Sequence, residues 1–394
     1  MTGLTDTVPW VAARTGLRVA RERLWRRPAV TREDVPGSVD DITPAWWQAV
    51  LAADVPDAVL ESVRCVSGSN GTHFRHCFAL DWNAAGRDAG LPANVFTKSL
   101  PTVVTRMIGG YNGTARAEGR FYLELRPALE IESPIGYHSA FDRRSLAGIN
   151  VIEDIATTRG ARFLDFRTHV TREMAEGMVD LLAALHGRWY ADLGLAAAHR
   201  WLANFADWYR IGARKMKTEH YTGVAIRQLA DALPPSVVRR AAEVWPATER
   251  AAAVHEQGPQ GLLHSDVHIG NWYQTGAGQV GLCDWQCVAR GHGSRDLAYL
   301  LATALLSDER RAWERELVQR YAAQLEAVTG VAQDANRVWD EYRRQMLHAL
   351  WMWTITLCHS PLLPAMQPVD QTRELVIRVA IAMDDLDSLD ACLG

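Results

Sequence analysis

Residues 261–300 read GLLHSDVHIGNWYQTGAGQVGLCDWQCVARGHGSRDLAYL, and this stretch decides how the rest of the chain is interpreted. It is rich in glycine and short apolar runs, and it interrupts a region whose hydrophobic pattern is otherwise helical. Within it, Asn271 follows Asp266 by five positions, and Asp284 follows Asp266 by eighteen. The loop and short-strand context predicts that these three side chains lie on one rim rather than along a helix.

These residue types match the needs of phosphoryl transfer. That reaction uses one carboxylate to orient an acceptor hydroxyl and take its proton, and oxygen ligands to hold Mg²⁺ against the β- and γ-phosphates. Asp266 suits the first task, and Asn271 and Asp284 suit the second. The pattern H-x-D-x-x-x-x-N beginning at His264, followed by an Asp on a short apolar strand, has the spacing of a kinase catalytic loop.

Outside this stretch the chain changes its hydrophobic period once. A period of two predicts a small unit with strands at residues 62–66, 75–82, 95–99, 136–138 and 149–153 and one helix at 114–126. From residue 172 the pattern predicts helices at 173–186, 202–210, 224–232, 237–255, 294–306, 312–325, 339–358 and 373–389. The fold class is therefore predicted to be α+β, with a strand-rich unit, a larger helical unit and a cleft at their junction.

Composition excludes several classes of protein. The 394 residues are 48% hydrophobic with a net charge of −4, which argues against disorder and against a global basic field for nucleic acid. The sequence contains no run of 18 apolar residues, so no membrane span is predicted. The N-terminus does not resemble a secretory signal, and a cytoplasmic protein is therefore expected. The six cysteines form no CxxC pair, and the 15 tryptophans are expected mainly in the core. The sequence predicts no particular oligomeric state.

The first forty residues stand apart from the rest. Residues 10–27 predict a helix with six arginines, a pattern that is compatible with a membrane surface or nucleic acid. The favoured interpretation is a peripheral helix that docks on the body through Trp10, Val11, Leu17 and Leu24. The predicted domains are an N-terminal extension at 1–41, a nucleotide-binding N-lobe at 42–156 and a catalytic, acceptor-binding C-lobe at 157–394.

The motifs LHSDVHIGNW, LCDWQ and DLAYLL resemble those of the aminoglycoside phosphotransferase/choline kinase-like superfamily. CDWQ followed by RDLAY resembles its ecdysteroid kinase-like (CHK kinase-like) branch. The resemblance covers roughly residues 42–390. It implies a bilobal protein-kinase-like fold with a small β-rich N-lobe and a larger, mostly helical C-lobe. It further implies an ATP-dependent small-molecule O-phosphotransferase with ATP (GTP possible) and Mg²⁺ as cofactors and a small hydroxylated acceptor as partner.

The resemblance also implies roles for residues of the first half. VSGSNGTHFRHCFAL resembles the nucleotide-binding loop, in which the backbone around Ser69, Asn70 and Gly71 would approach phosphate oxygens. Lys98, in NVFTKSL, would be the lysine that contacts the α- and β-phosphates. Glu118 would pair with Lys98, and Glu124 is the rival candidate for that pairing.

Further residues follow from the same resemblance. NVIEDIA resembles the interlobe crossing, where backbone groups of Glu153 and Ile155 would meet the adenine edge. Asp296 resembles the helix-capping Asp that braces the catalytic loop. Ser265 and His268 stand where relatives often carry Gly and Pro. The metal-binding strand reads CDWQ instead of D-F-G, so protein-kinase activation-loop logic is not transferred to this chain.

Two other functions remain open at this point. His264, Asp266 and His268 alternate along the chain as metal ligands on a strand do, which would indicate a metal-dependent hydrolase with His292 and Asp284 as further ligands. A non-catalytic, pseudokinase-like nucleotide-binding module is the second alternative. The intact set of Lys98, Asp266, Asn271 and Asp284 favours the phosphotransferase over both.

The acceptor is expected between Asp266 and the helices after residue 170. Apolar faces there would come from the tryptophans Trp189, Trp201, Trp208, Trp351 and Trp353. A polycationic aminoglycoside would need a dense carboxylate patch, for which the candidates are Asp384, Asp385, Asp387 and Asp390. Many aromatic residues with few clustered acids favour a neutral hydroxylated acceptor, such as a sterol-like compound, a polyketide or a sugar alcohol.

Overall fold

The computed structural model describes residues 8–71, 73–360 and 365–394. The chain forms two compact units. The first contains the chain up to Leu129 together with Pro134–Ala161 and Asp284–Cys287, and the second contains Glu130–Ser133, Arg162–Cys283 and Val288–Gly394. The predicted α+β class is confirmed, because the first unit is built around an antiparallel sheet and the second is mostly helical.

The described part of the first unit has a five-stranded antiparallel sheet in the order β1-β2-β3-β5-β4. Its strands are β1 Leu60–Asn70, β2 Phe74–Trp82, β3 Asn94–Ser99, β4 Gly136–Phe141 and β5 Gly148–Glu153. Its helices are α1 Val8–Leu24, α2 Pro44–Leu51, α3 Ala84–Asp88, α4 Val103–Thr105, α5 Thr114–Arg120 and α6 Ile155–Thr158, with π turns at Arg106–Tyr111 and Phe121–Leu125. All five predicted strands are confirmed, and β1 extends further than predicted.

The core of the first unit lies on one face of the sheet. Trp46 and Trp47 of α2 pack there against Phe78, Val95 and Val151 of the strands. The N-terminus of α2 is stabilised because the Thr43 hydroxyl accepts from the Trp46 N–H and a proline occupies the first helical position. Burial of two tryptophans, at about 25 cal/mol per Å² of apolar surface, anchors this helix to the sheet.

Helix α1 contacts the first unit through a different face from the one predicted. Its buried residues are Val11, Thr15 and Val19, which recur every fourth position. Trp10, Leu17 and Leu24 are exposed, so the predicted docking through these three side chains is wrong and only Val11 was correctly assigned. Arg106 also contacts this helix, through a bidentate ion pair to Glu22.

The described part of the second unit is mostly helical, with two small antiparallel sheets. Its helices are α7 Arg172–Gly187, α8 Leu193–Ala198, α9 Phe205–Met216, α10 Thr218–Gln228, α11 Pro235–Arg239, α12 Ala241–Ala251, α13 Val254–Gln257, α14 Ser294–Ala304, α15 Ser307–Thr329, α16 Ala335–Leu357, α17 Val369–Asp385 and α18 Ser388–Leu393. Its strands are β6 Arg162–Phe163, β7 Gly261–Leu263, β8 Trp272–Gln274, β9 Val280–Leu282 and β10 Ala289–Gly291. They pair as β10-β7 and β6-β8-β9.

Helix boundaries in the second unit differ from prediction where no glycine or proline marks a break. Lys217 ends α9 and precedes α10 in a left-handed conformation, with φ 52°, so both helices begin and end several residues away from the predicted positions. The single helix predicted at 237–255 is three consecutive segments. Most tryptophans are core residues as expected, and all six cysteines are free thiols. Among the described residues, no helix is long and apolar enough to cross a membrane.

Candidate active site

The first cluster of predicted site residues lies in the first unit, around Lys98. This lysine is on β3 and is 7% exposed, and its Nζ lies 2.6 Å from Glu118 Oε1 and 2.9 Å from Asp284 Oδ1. Helix α5 brings Glu118 to this position with no exposed surface, so the predicted pairing with Lys98 is present. The rival Glu124 instead forms a partly exposed ion pair with Arg120.

Burial and ion pairing compete in this cluster. Burial alone would lower the pKa of Lys98, but the Asp284 and Glu118 carboxylates outweigh it and hold that pKa above its ordinary value. Burial would raise the pKa of Asp284, yet the nearby ammonium of Lys98 holds it well below its usual range. The pKa of Glu118 is raised, because its complete burial exceeds the attraction of Lys98. A charged lysine is thus kept beside an ionised aspartate away from water.

An aromatic stack joins α5 to the segment that carries Asp284. Phe121, one turn after Glu118, stacks on Trp285 with ring centroids 3.8 Å apart and planes 10° from parallel. Asp284 itself adopts φ 67°, a left-handed conformation that is uncommon for a residue other than glycine. No role was predicted for Phe121 or Trp285 from the sequence, although an aromatic residue directly after Asp284 was an available signal.

The second cluster lies in the second unit, in the loop after β7. The Asn271 amide nitrogen donates to the Asp266 carbonyl at 2.6 Å, and the Tyr299 hydroxyl donates to Asp266 Oδ1 at 3.2 Å. His268 Nε2 lies 3.9 Å from Asp266 Oδ2. Asp266 and Asn271 are thereby brought together as predicted. Tyr299 was missed, although it lies one helical turn after Asp296 in the SRDLAY motif and on the same face of α14.

The backbone of this loop is held by Asp296, which lies fully buried on α14. Its carboxylate accepts from the backbone N–H groups of His264 and Ser265 at 2.8 and 3.1 Å. Burial would raise the pKa of Asp296, but hydrogen bonding from His186 and the charge of Arg295 hold it well below the usual range. An ionised acceptor is the stronger partner for two N–H donors, so Asp296 fixes the path of the chain just before Asp266.

Ser265 adopts φ 67°, a left-handed conformation that favours glycine. A serine at this position therefore strains the backbone. Its buried Oγ has no hydrogen-bond partner among the described residues. The His268 ring takes a structural role, since its Nδ1 accepts from the Gly270 N–H. The two departures noted in the sequence therefore leave the acidic group at Asp266 in place.

The histidines proposed as metal ligands are occupied by other partners. His264 accepts from the Asp266 N–H through Nδ1, and its Nε2 lies 2.9 Å from the Cys283 carbonyl. The ring of His292 contacts the Ser294 hydroxyl. In the described part of the chain, no group of three or more His, Cys, Asp or Glu side chains is arranged to hold a metal ion. The geometry therefore offers the hydrolase alternative no preformed ligand set.

The remaining predicted residues lie at two ends of the sheet. Ser69 pairs with Arg75 and Asn70 with Phe74 at the end of the β1–β2 hairpin, and Gly71 follows directly. A Cβ at Gly71 would contact nothing closer than 3.7 Å, so this part of the turn has room.

Glu153 ends β5, and Ile155 begins α6. The backbone N–H of Glu153 already donates to the Ile135 carbonyl, and its carboxylate is held by Thr158 and Arg159. The Asp154 carbonyl accepts from the N–H groups of Thr157 and Thr158, and the Ile155 carbonyl accepts from those of Arg159 and Ala161.

One expectation about the acceptor, the exposure of two tryptophans, is corrected. Trp351 and Trp353 are only 2% exposed, so these indoles are core residues and do not offer an apolar face to a ligand. Among the C-terminal acidic residues, Asp385 is paired with Arg310 and Arg311, and Asp390 with Arg240. These carboxylates are neutralised within the protein and do not form a free anionic patch for a polycation.

The donor chemistry of the two clusters fits a nucleotide and a hard divalent cation. Mg²⁺ prefers carboxylate and carbonyl oxygens. Asp284 is an ionised carboxylate, and the Asn271 amide uses its nitrogen on Asp266, which leaves its oxygen as an acceptor. Lys98 supplies a buried ammonium for phosphate oxygens. Within the first unit Lys98 and Asp284 thus suit a phosphate oxygen and a divalent cation, and within the second unit the Asn271 oxygen suits a cation.

The model of the phosphotransferase enzyme family (APH) matches residues 97–343. This span, more than half of the chain, includes five of the predicted site residues: Lys98, Glu118, Asp266, Asn271 and Asp284. It begins after the β1–β2 hairpin, so the Ser69–Gly71 turn lies outside it. None of the curated proteins matches the sequence.

Several solved structures are similar to the chain at low sequence identity. A spectinomycin phosphotransferase in complex with ADP and spectinomycin is 13% identical, with 84% of this chain and 94% of that chain covered and a TM-score of 0.47. A choline kinase from Streptococcus pneumoniae is 14% identical, with 83% and 94% covered and a TM-score of 0.43. An ethanolamine kinase from Plasmodium vivax is 12% identical, with 98% and 95% covered and a TM-score of 0.47.

Proposed function

Because the chain belongs to the phosphotransferase enzyme family, we propose that it transfers the γ-phosphoryl group of ATP, in the presence of Mg²⁺, to a hydroxyl group of a small molecule. The observation that carries the proposal is the buried Lys98–Glu118 ion pair with Asp284 at 2.9 Å from the same ammonium. Burying three charges is costly unless each has a partner or a task, and phosphate recognition is such a task for a lysine.

In the first unit, Lys98 neutralises the α- and β-phosphates, and Glu118 holds the Lys98 side chain in place. The backbone at Ser69, Asn70 and Gly71 approaches phosphate oxygens, for which small residues in the turn leave space. The segment at Glu153 and Ile155 meets the nucleobase edge. ATP is the proposed nucleotide, and GTP is the second one to test.

In the second unit, Asp266 orients the acceptor hydroxyl and takes its proton as the phosphoryl group is transferred. Tyr299 and the backbone held by Asp296 fix the orientation of that carboxylate. Asn271 and Asp284 are the proposed ligands of Mg²⁺, which when bound neutralises charge on the transferring phosphate. The acceptor is proposed to be a neutral, hydroxylated small molecule.

Thermal unfolding with and without millimolar ATP and Mg²⁺ tests the nucleotide site. Ligand at about 100 times its Kd stabilises the folded state by about 2.7 kcal/mol, which raises Tm by a measurable amount. The rise should require Mg²⁺ and should be lost in Asp284→Asn. A rise with Zn²⁺ alone would favour the hydrolase, and a rise with ATP or GTP that is accompanied by no phosphate transfer to any acceptor would favour the non-catalytic module.

Transfer of labelled phosphate from ATP to a panel of alcohols tests the reaction. Asp266→Asn removes the base and should lower kcat by at least about a hundredfold while leaving the ATP-induced Tm rise intact. Asp231→Asn is the matched control, because Asp231 is an exposed aspartate of the same unit. Undiminished turnover in Asp266→Asn would remove this residue from its proposed role.

A further inference from the structure

Helix α1 presents an apolar stripe that the first unit does not cover. Trp10, Leu17 and Leu24 are spaced by seven residues, which keeps them on one side of the helix, and Trp25 follows directly. Their exposed fractions are 52%, 75%, 74% and 67% respectively. The opposite side of the helix is already buried through Val11, Thr15 and Val19. Leu17 and Trp25 border an open groove beside Phe141 and remain largely exposed.

Arginines surround this stripe. Between residues 8 and 27 the chain has six arginines and a single acidic residue, Glu22. Glu22 is neutralised by Arg106, and Arg26 is the arginine of the helix region that has carboxylate partners of its own, Asp40 and Asp41. Within the described residues, no carboxylate lies within ion-pair distance of the exposed Arg21, Arg23 or Arg27. The surface is therefore both apolar and cationic.

The acidic groups near α1 balance only part of this charge. Asp34 uses its carboxylate to accept from the backbone at Val30 and Thr31, and Asp142 is held by Ser145 and the Arg144 N–H. These acidic groups belong to turns of the chain. The charge of Arg18 acts on the Asp142 carboxylate, whereas Arg21, Arg23 and Arg27, which have no carboxylate at ion-pair distance in the described part of the chain, stay available to an external anion.

We infer that α1 is a peripheral membrane-binding helix, which lies flat on an anionic lipid surface with Leu17 and Leu24 inserted and the arginines at the headgroups. An apolar face flanked by arginines, with tryptophans at its edge, matches the chemistry of a lipid interface. Nucleic acid would pair with the arginines but offers no apolar medium for two leucines. A second copy of the helix would place arginines against arginines.

Co-sedimentation with lipid vesicles tests this inference and does not depend on the phosphotransferase reaction. The full chain should bind vesicles of phosphatidylcholine mixed with about one third phosphatidylserine, and not pure phosphatidylcholine. Binding should weaken as the salt concentration rises from about 0.05 to about 0.5 M, because exposed charges are screened.

Substitutions on the stripe give the sharper comparison. Leu17→Ser should weaken vesicle binding by at least about tenfold, and Arg23→Gln by about fivefold. Both side chains are exposed, so Tm should stay unchanged. The matched controls are Leu306→Ser and Arg239→Gln, an exposed leucine and an exposed arginine of the second unit, which should bind like the unchanged protein.

Three results would overturn the inference. The first is equal binding to neutral and anionic vesicles, or no binding to either. The second is binding to DNA or RNA that Arg23→Gln weakens, without binding to vesicles. The third is a concentration-dependent dimer that Leu17→Ser abolishes, which would assign the stripe to a second copy of the chain.

Discussion

Lys98 is the only lysine in the first 200 residues of the chain, and two carboxylates share its ammonium. The two are not equivalent. Glu118 also accepts from the Asn150 amide and is wholly enclosed, whereas the Asp284 side chain is 16% exposed. At the scale of the residue, we therefore propose Glu118 as a positioning group for Lys98 and Asp284 as the carboxylate that acts on a cofactor.

Glu118→Gln tests this division of roles. The amide keeps the shape of the side chain but removes the charge that holds Lys98, so we expect kcat/KM for ATP to fall by about tenfold to a hundredfold. Rescue by Glu118→Asp should be partial. Glu124→Gln is the matched control, because this glutamate pairs at the surface with Arg120, where an ion pair contributes about 0.3–0.5 kcal/mol. Equal losses in the two variants would contradict the assignment.

Ser265 stores strain next to the proposed base. At φ 67° a serine is less stable than a glycine by about 1 kcal/mol, and its buried hydroxyl has no hydrogen bond. Ser265→Gly should therefore raise Tm by a few degrees without lowering phosphotransferase activity. Ser265→Ala removes the hydroxyl but keeps the strained φ, so its Tm should rise less. A lower Tm for the glycine variant would show that the strain is compensated elsewhere.

At the scale of the element, α5 lies unusually close to the sheet. A Cβ at Gly119 would sit 1.9 Å from Ser139 Oγ and 2.5 Å from Asn150 Oδ1, which are side chains of β4 and β5. Glycine is thus required for the approach that brings the neighbouring Glu118 into reach of Lys98. The Phe121–Trp285 stack one turn later fastens the same helix to the segment of Asp284.

Gly119→Ala should separate α5 from the sheet. We expect a loss of about 1–3 kcal/mol in the free energy of unfolding, with a weaker ATP-induced Tm rise because Glu118 moves with the helix. Gly212→Ala is the matched control, since a Cβ there meets nothing within 4 Å and helical alanine is favoured over glycine by about 1 kcal/mol. Urea unfolding of both variants would separate the two effects. Equal stability in Gly119→Ala would show that α5 is free to shift.

At the scale of the whole molecule, buried neutral histidines make the fold sensitive to acid. Burial lowers the pKa of His73, His138 and His292 to about 4 and that of His348 to about 3, and it lowers the pKa of His255 well below the ordinary value. The unfolded chain, with histidine pKa values near 6.5, binds more protons than the folded chain between these limits. Stability must therefore fall as the pH falls from about 6.5 to about 4.

Urea unfolding at several pH values measures this loss. Each buried histidine contributes a slope of up to about 1.4 kcal/mol per pH unit in the window. His348→Phe should make the slope shallower, because the ring packs among Phe205 and Tyr209 and its Nδ1 has no partner among the described residues. His220→Gln is the control, since that ring faces water in both states. A slope that is the same for all three proteins would contradict the prediction.

Much of the fold was predictable because it depends on local patterns. Stretches with a hydrophobic period of two form strands in the first unit, and stretches with a period of 3.6 form helices in the second. Each pattern can be recognised locally, because the direction of successive side chains repeats within a single strand or helix. The predicted helix boundaries were wrong around Lys217, because this lysine adopts the left-handed conformation that glycine usually adopts at a helix end. The prediction of the docking face of α1 was wrong for a related reason. This helix has apolar residues on two sides, and the sequence does not indicate which side the body covers.

The sequence by itself determined the α+β class, the order of the strand-rich and helical parts, and the motif around Asp266 and Asp284. These follow from periodicity and from the spacing of chemically distinctive residues. Only the tertiary structure decided that Glu118 rather than Glu124 reaches Lys98, that Tyr299 contacts Asp266, and that Trp351 lies in the core. Such outcomes depend on which faces of distant segments meet, and a packed interior settles them by complementary shape and by the cost of leaving a buried charge unpaired.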